Sequence, residues 1–129
     1  MADFDSGGAL RAEIAAFYAG FGQPEVLQAA FRGAVLLVPL VDDDRLCTSR
    51  LGGVDWICAF TSVEEYARYM AARGVAGDQE YRYQSLLGWR LAEYAAGRSA
   101  STGVAVDITG SAPMAFPPQV PEDSAGEGR

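Results

Sequence analysis

Histidine and lysine are both missing from this chain of 129 residues. Without histidine, the protein lacks the usual general base at neutral pH and the commonest metal ligand. All ten basic side chains are arginines, against 17 acidic ones, which gives a net charge of −7. The chain therefore lacks the basic surface that binding to nucleic acid or to an anionic membrane requires.

Cysteine is scarce as well, and it occurs only at Cys47 and Cys58. Two cysteines cannot form a zinc site alone, and no histidine is present to activate either thiol as a nucleophile. If Ser49 pairs with Val54 in a hairpin, Cys47 lies opposite Trp56, and the diagonal to Cys58 is too long for a disulfide. We therefore expect two buried free thiols and a cytoplasmic protein.

Motifs for cofactors and for membrane insertion are also absent from the sequence. The glycines form no G-x-G-x-x-G fingerprint, and the three aspartates at 42–44 lack EF-hand spacing and fit a solvated turn. No apolar run is long enough to span a membrane, and the first residues do not resemble a signal peptide. The sequence thus predicts no cofactor, no metal ion and no membrane association.

Composition divides the chain into three parts. Residues 1–8 are small and polar, and we predict a flexible N-terminus. Residues 9–117 are rich in apolar side chains and are predicted to form one folded domain. Residues 118–129 are acidic and small, and their composition predicts a disordered tail.

The best-defined segment is 54–74, in which a strand runs into a helix. Residues 54–60 alternate with period two, and both sets are largely apolar, so the strand is predicted to be covered on both faces. Ser62 is the predicted N-cap of the helix, with Glu65 three residues on, and Thr61 with Glu64 offers the same motif one residue earlier. Gly74 is predicted to end it. The predicted buried face of this helix consists of Val63, Tyr66, Ala67 and Met70.

The remaining pattern predicts an α/β (α+β) domain with one mixed β-sheet, a central antiparallel meander and helices packed on the sheet. The meander consists of strands 34–41, 45–49 and 54–60, and further strands are predicted at 79–84 and 103–107. Helices are predicted at 24–32 and at 86–96, the latter capped by Ser85. An N-terminal helix is predicted from an apolar stripe made of Leu10, Ile14, Phe17, Tyr18 and Phe21.

One candidate site lies where two strands end. Asp107 follows a predicted strand and precedes a glycine turn, a place where open sheets bind ligands. Thr61 and Ser62 lie at the junction of the central strand and its helix. A pocket near these three residues would suit a small-molecule binding protein or an enzyme. Against this reading, Ser62 has no base and no nucleophile elbow, and a turn-forming role explains Asp107.

A second candidate site is a partner surface on the predicted helix 86–96. Trp89 points away from Leu91 on this helix, and Leu86 and Ala96 share the side of Trp89. The helix is therefore apolar on two faces. Either both faces are buried in the domain, or Trp89, Leu86 and Ala96 bind another protein.

Three segments carry a resemblance to a known family. They are LLVPL at 36–40, AFTSVEEY at 59–66 and GVAVD at 103–107, and together they resemble the amino-terminal domain of the SseB family over roughly residues 10–117. Ile108 replaces the proline that usually follows the last motif. The abundance of alanine, glycine and arginine without lysine also resembles proteins of high-GC actinobacteria. The resemblance implies a link to serine sensitivity and secretion-associated proteins, and it implies no catalytic residue.

From these observations we expect a non-enzymatic protein-interaction domain, secretion-associated, chaperone-like or immunity-like. The expected partner is a protein of basic character, with a second copy of the chain, a homodimer, as the other option. The alternative is the small-molecule site near Ser62 and Asp107. A deep pocket with convergent polar groups would favour the alternative, and a flat apolar patch would favour a protein partner.

Overall fold

The computed structural model describes residues 6–41, 44–74 and 82–118. The predicted loop 75–78, the start of the predicted strand 79–84 and the predicted tail beyond residue 118 lie outside the described residues. So do the first five residues of the predicted flexible N-terminus, whereas residues 6–8 belong to the first helix. Among the helices in the described ranges, none has the length and apolar character needed to cross a membrane.

The described residues form an α+β fold of four helices and seven strands, and this confirms the predicted fold class. Strands β2, β1 and β5 form one sheet in that order, and β3, β4, β6 and β7 form another. All pairs are antiparallel except β4 and β6, which are parallel. In chain order the elements are α1 (Ser6–Tyr18), α2 (Pro24–Gly33), β1 (Val35–Val41), β2 (Arg45–Leu46), β3 (Thr48–Leu51), β4 (Val54–Ala59), α3 (Val63–Ala72), β5 (Tyr83–Leu87), α4 (Gly88–Ala96), β6 (Thr102–Val106) and β7 (Met114–Phe116).

The predicted single sheet is instead two sheets joined at two places. Leu37 of β1 and Phe60 at the end of β4 exchange two backbone hydrogen bonds of 2.9 Å. Cys47 separates β2 from β3: its N–H donates to the carbonyl of Pro39 in β1, and its carbonyl accepts from the N–H of Cys58 in β4. The predicted strand 45–49 therefore divides at Cys47 and pairs with a different sheet on each side.

The predicted register of the β3–β4 hairpin is wrong by two residues. Leu51 pairs with Val54, and Ser49 pairs with Trp56. The cause is the turn, because Gly52 and Gly53 both have positive φ and close a two-residue loop between the strands. The shift places Cys47 directly across from Cys58 instead of on a diagonal. Both cysteines are buried free thiols, as predicted.

The alternation along β4 divides its side chains between two hydrophobic clusters, which confirms that both faces of this strand are covered. Ile57 and Ala59 belong to the larger cluster, which lies on the side of α1, α2 and α4. The smaller cluster lies under α3 on the opposite face. Its buried members are Cys47, Cys58, Phe60, Tyr66 and Tyr69.

Helix α3 begins as predicted, because the Ser62 hydroxyl oxygen accepts a hydrogen bond of 3.2 Å from the N–H of Glu65. Gly74 follows the helix with φ of 80°, in the left-handed conformation expected of a C-terminal glycine. The predicted buried face needs a correction, since Val63 and Ala67 are exposed and Tyr69 is buried. The rings of Tyr66 and Tyr69 pack on Phe60, and this aromatic packing sets the rotation of the helix.

Replacing Ser62 with alanine is expected to lower the free energy of unfolding by about 1 kcal/mol, because the N–H of Glu65 loses its acceptor. Chemical denaturation of the purified chain measures the change. Ser99→Ala is the matched control, since Ser99 is exposed in a loop. Equal unfolding midpoints for wild type and both variants would contradict the assigned start of α3.

The segment from residue 82 onward was predicted least well. Strand β5 extends to Leu87, so Ser85 lies inside a strand, paired with Leu37, and does not cap a helix. Five backbone pairs with β1 outweigh the helical periodicity of 86–96, and α4 starts only at Gly88. Strand β7 was not predicted, because its three residues are too few to show a periodicity and lie between Pro113 and Pro117.

Candidate functional site

The predicted pocket residues Thr61 and Asp107 meet where the parallel strands β4 and β6 end. The Thr61 N–H donates to Asp107 Oδ1 at 2.9 Å, and the Thr61 hydroxyl donates to Asp107 Oδ2 at 2.8 Å. Both residues are buried. Asp107 has φ of 53°, a left-handed conformation in which aspartate is one of the few favoured residues. The carboxylate thus joins the two strand ends and starts the turn after β6.

Charged groups surround this carboxylate. Burial raises the pKa of Asp107, and the nearby charge of Glu65 raises it further. The two hydrogen bonds from Thr61 and the charge of Arg11 act in the opposite direction. The Arg11 guanidinium also donates to the Thr61 carbonyl at 3.3 Å. Sequence reasoning missed Arg11, because it lies 50 residues from Thr61 on α1 and nothing local indicates the contact.

A cleft of about 220 Å³ opens beside Asp107, between α1 and the turn after β6. It is lined by Arg11, Ile14, Ala15, Glu65, Asp107, Ser111 and Ala112. Glu65 Oε1 is buried there without a hydrogen-bond partner, while Glu65 Oε2 pairs with Arg68 at 2.9 Å. Ser62, the third predicted residue, does not line the cleft, because its hydroxyl caps α3. The cleft could take a few polar atoms, and neither cysteine lies in its lining.

No metal centre forms in the described ranges, where no three histidine, cysteine, aspartate or glutamate side chains come together. Glu65 and Asp107 are two carboxylates near a cationic side chain, and both of the Asp107 oxygens already accept hydrogen bonds from Thr61. Asp107 therefore connects the ends of β4 and β6, and a small polar cleft lies beside it.

The structure separates the residues of the predicted partner surface. Leu86 lies in β5, opposite Leu36, and packs partly against the larger hydrophobic cluster. Trp89 is half-buried at the start of α4, with the guanidinium of Arg90 5.0 Å from its ring centroid. Ala96 is exposed at the other end of α4. Leu86 also lines a cleft of about 420 Å³ with Arg90. These three side chains do not form one apolar face of a helix.

A different apolar surface appears at the end of α1. The stripe that predicts this helix splits into two parts: Leu10 and Ile14 are buried, while Phe17, Tyr18 and Phe21 are 47%, 58% and 81% exposed. We call these last three residues the α1 aromatic patch. The Tyr18 hydroxyl donates to the carbonyl of Pro113, which holds the end of α1 against the turn before β7.

The sequence indicated the α1 aromatic patch only as part of a continuous stripe. The spacing of five apolar residues shows which face of a helix is apolar, but it does not show how much of the helix the rest of the domain covers. The final residue of the patch lies beyond the helix, where Gly20 takes φ of 90° and the Phe21 N–H donates to the carbonyl of Ala16. This helix-ending turn projects Phe21 away from the core.

Comparison of the chain with protein-family models, with curated proteins and with solved structures gave no match.

Proposed function

We propose that this protein is a non-enzymatic binding domain for another protein, and that the α1 aromatic patch is its contact surface. One observation carries the proposal: Phe17, Tyr18 and Phe21 lie at the end of α1 and in the turn that follows it, and each is about half exposed or more. Aromatic side chains are enriched at the energetic centres of protein interfaces because they bury a large area with few rotatable bonds. Adjacent exposed aromatics are a typical sign of an interaction site.

The alternative function, a small-molecule site or an enzyme near Asp107, is less well supported. Pockets for drug-sized ligands usually measure roughly 300–1,000 Å³, and the cleft of about 220 Å³ beside Asp107 is smaller. Its main polar groups are also occupied by internal contacts, since both oxygens of Asp107 bind Thr61. The unpaired Glu65 Oε1 is the one feature that favours this alternative.

Charge suggests the class of partner. The chain carries a net charge of −7, and such a field accelerates encounter with a basic protein and weakens as salt is added. The partner we propose is therefore a basic protein. A secretion-associated role, which the SseB resemblance implies, would fit such a partner. So would a chaperone-like or immunity-like role, which suits a small acidic chain. A homodimer is the competing assembly.

Replacing Phe21 with serine is expected to change the free energy of unfolding by less than about 0.5 kcal/mol, because the ring is 81% exposed. Phe31→Ala provides the contrast. Phe31 is buried and stacks on Phe116 with ring centroids 4.3 Å apart, so its truncation should cost about 3–5 kcal/mol. Thermal and urea denaturation measure both changes. A loss of several kcal/mol for Phe21→Ser would show that Phe21 belongs to the core.

Site-specific photo-crosslinking tests the proposed surface. A photoreactive phenylalanine analogue is placed at position 21 of the full chain in its native host, and the products are identified by mass spectrometry. The matched control is the same probe at Tyr94, which is 46% exposed on α4. We expect one discrete adduct with a basic protein from position 21 only. An adduct between two copies would support the homodimer, and diffuse products of equal yield from both positions would overturn the proposal.

A further inference from the structure

The two thiols lie in a polar cluster beneath α3 that the proposed function does not use. Cys47 and Cys58 face each other across neighbouring strands, and the Cys58 N–H donates to the Cys47 carbonyl at 3.1 Å. The Tyr69 hydroxyl lies 3.6 Å from Cys47 Sγ and 3.9 Å from Cys58 Sγ. An Arg73 guanidinium nitrogen in turn donates to the Tyr69 hydroxyl oxygen at 2.8 Å. One hydroxyl thus contacts both sulfurs and links them to a cation.

The register of the two strands is compatible with a disulfide. Residues directly opposite each other on antiparallel strands have Cα atoms roughly 4.5–5.5 Å apart, and disulfides form at Cα separations of roughly 4.4–6.8 Å. Because side chains of directly opposite residues leave the same face of the sheet, both sulfurs point toward α3, where Tyr69 contacts them. Little backbone movement is needed to join them.

The electrostatics of the cluster favour one thiolate and one thiol. The pKa of Cys47 is lowered, chiefly because the Cys58 thiol donates a hydrogen bond to its thiolate, and the Tyr69 hydroxyl and Arg73 add to the effect against the opposing influence of burial. The pKa of Cys58 is raised, because it is the donor in that bond and because it is buried. The first proton of the pair therefore leaves readily and the second is held.

We propose that Cys47 and Cys58 are an oxidisable dithiol, in which Cys47 reacts with a hydroperoxide and Cys58 closes a cross-strand disulfide. This assigns a modification site to the face of the sheet covered by α3. Both cysteines are free thiols in the structure, and the disulfide is the product of the reaction that we propose.

The reaction has two steps. The Cys47 thiolate attacks one oxygen of hydrogen peroxide; an S–O bond forms, the O–O bond breaks, and the hydroxide released takes a proton from solvent to become water. Cys47 is then a sulfenic acid, and the peroxide has been reduced. Cys58 attacks the Cys47 sulfur; the S–S bond forms, the S–O bond breaks, and the departing hydroxide leaves as water with the proton of the Cys58 thiol.

The position of Cys47 in the fold suits it to be the attacking residue. It lies between β2 and β3, outside either strand, and is 3% exposed, whereas Cys58 lies inside β4 and is 0% exposed. Three titratable or charged side chains face Cys47: Cys58 from β4, and both Tyr69 and Arg73 from α3. Its neighbour in β1 is Pro39, which bears no charge.

Oxidation of the full chain with hydrogen peroxide tests the proposal. After a short exposure, the protein is denatured, alkylated without reductant and weighed. We expect two unmodified thiols before treatment, and afterwards an intramolecular Cys47–Cys58 disulfide with neither thiol alkylated. Reduction with dithiothreitol should restore both thiols. Two thiols that remain alkylatable after peroxide treatment, or disulfides only between chains, would overturn the proposal.

Two kinds of variant separate the roles of the residues. In Cys58→Ser, a sulfenic acid at Cys47 should be trapped by dimedone, and in Cys47→Ser the remaining thiol should react far more slowly. Tyr69→Phe and Arg73→Ala should each slow oxidation, by up to roughly tenfold, because each removes one of the weaker influences that lower the pKa of Cys47. Circular dichroism of each variant establishes that it is folded. Wild-type rates in Tyr69→Phe and Arg73→Ala, or faster oxidation of Cys58 than of Cys47, would contradict the assigned roles.

Discussion

Replacing Gly88 with alanine is expected to lower the free energy of unfolding by about 3 kcal/mol, at the upper end of typical overpacking costs. A Cβ atom at Gly88 would lie 2.7 Å from the carbonyl carbon of Phe31 and closer still to its oxygen. The obstacle is backbone, so no side-chain rotation relieves it. Helices α2 and α4 would have to separate, and the hydrogen bond from the Gly88 N–H to the Ala34 carbonyl would break.

Gly97→Ala is the matched control for Gly88→Ala, because the two glycines lie at opposite ends of the same helix. A Cβ atom at Gly97 meets nothing closer than 3.5 Å, and its φ of −84° suits any residue. The change should leave stability within about 1 kcal/mol or raise it slightly, through the lower entropy of the unfolded chain. Urea denaturation of the two variants measures the difference between their free energies of unfolding. Equal stabilities would mean that α4 does not approach α2 as described.

Replacing Asp107 with alanine should lower the free energy of unfolding by about 3 kcal/mol or more. The buried N–H and hydroxyl of Thr61 would each lose their acceptor, and unsatisfied buried donors cost roughly 1–3 kcal/mol. Alanine is also disfavoured in the left-handed conformation that this position requires, by about 1–2 kcal/mol. Denaturation midpoints measure the loss. A change below about 1 kcal/mol would show that Asp107 does not hold the two strand ends together.

Asp107→Asn should cost much less than Asp107→Ala, and its effect should depend on pH. Asparagine tolerates the left-handed conformation, its Oδ1 can accept from the Thr61 N–H, and its Nδ2 can donate to the Thr61 hydroxyl oxygen. Because the folded pKa of Asp107 is raised above its ordinary value of 3.8, the wild type is most stabilised below that value and loses this contribution as pH rises through the folded pKa. Asp107→Asn should therefore gain stability relative to wild type between acidic and neutral pH. A constant difference would contradict the raised pKa.

Local patterns predicted the parts of the fold that local interactions determine. Ser62 followed by Glu65 indicated the start of α3, and the apolar alternation of β4 indicated a strand covered on both faces; both are as predicted. Long-range pairing overruled local pattern elsewhere. Leu86 looked helical by spacing, but it lies in β5 because β1 offers five backbone partners to that strand.

The candidate sites were also predicted only in part, because some of their contacts depend on long-range pairing. Thr61 and Asp107 were assigned to one site because both follow strands, and they are hydrogen-bonded to each other. The pairing of Cys47 with Cys58 depends on a two-residue turn at Gly52, and a shift of two residues in register was enough to hide it. The exposure of Phe21 depends on where other elements end, which no short pattern of residues reports.

The affinity of the crosslinked partner for three versions of the full chain tests the proposed binding surface most directly. Wild type, Phe21→Ser and Tyr94→Ser are compared by isothermal titration at one salt concentration, since both replacements remove an exposed aromatic ring. The proposal predicts that Phe21→Ser weakens binding by about 2 kcal/mol or more, roughly thirtyfold, as at an interface hot spot, and that Tyr94→Ser leaves the affinity within about threefold. Equal affinities for wild type and Phe21→Ser would contradict it.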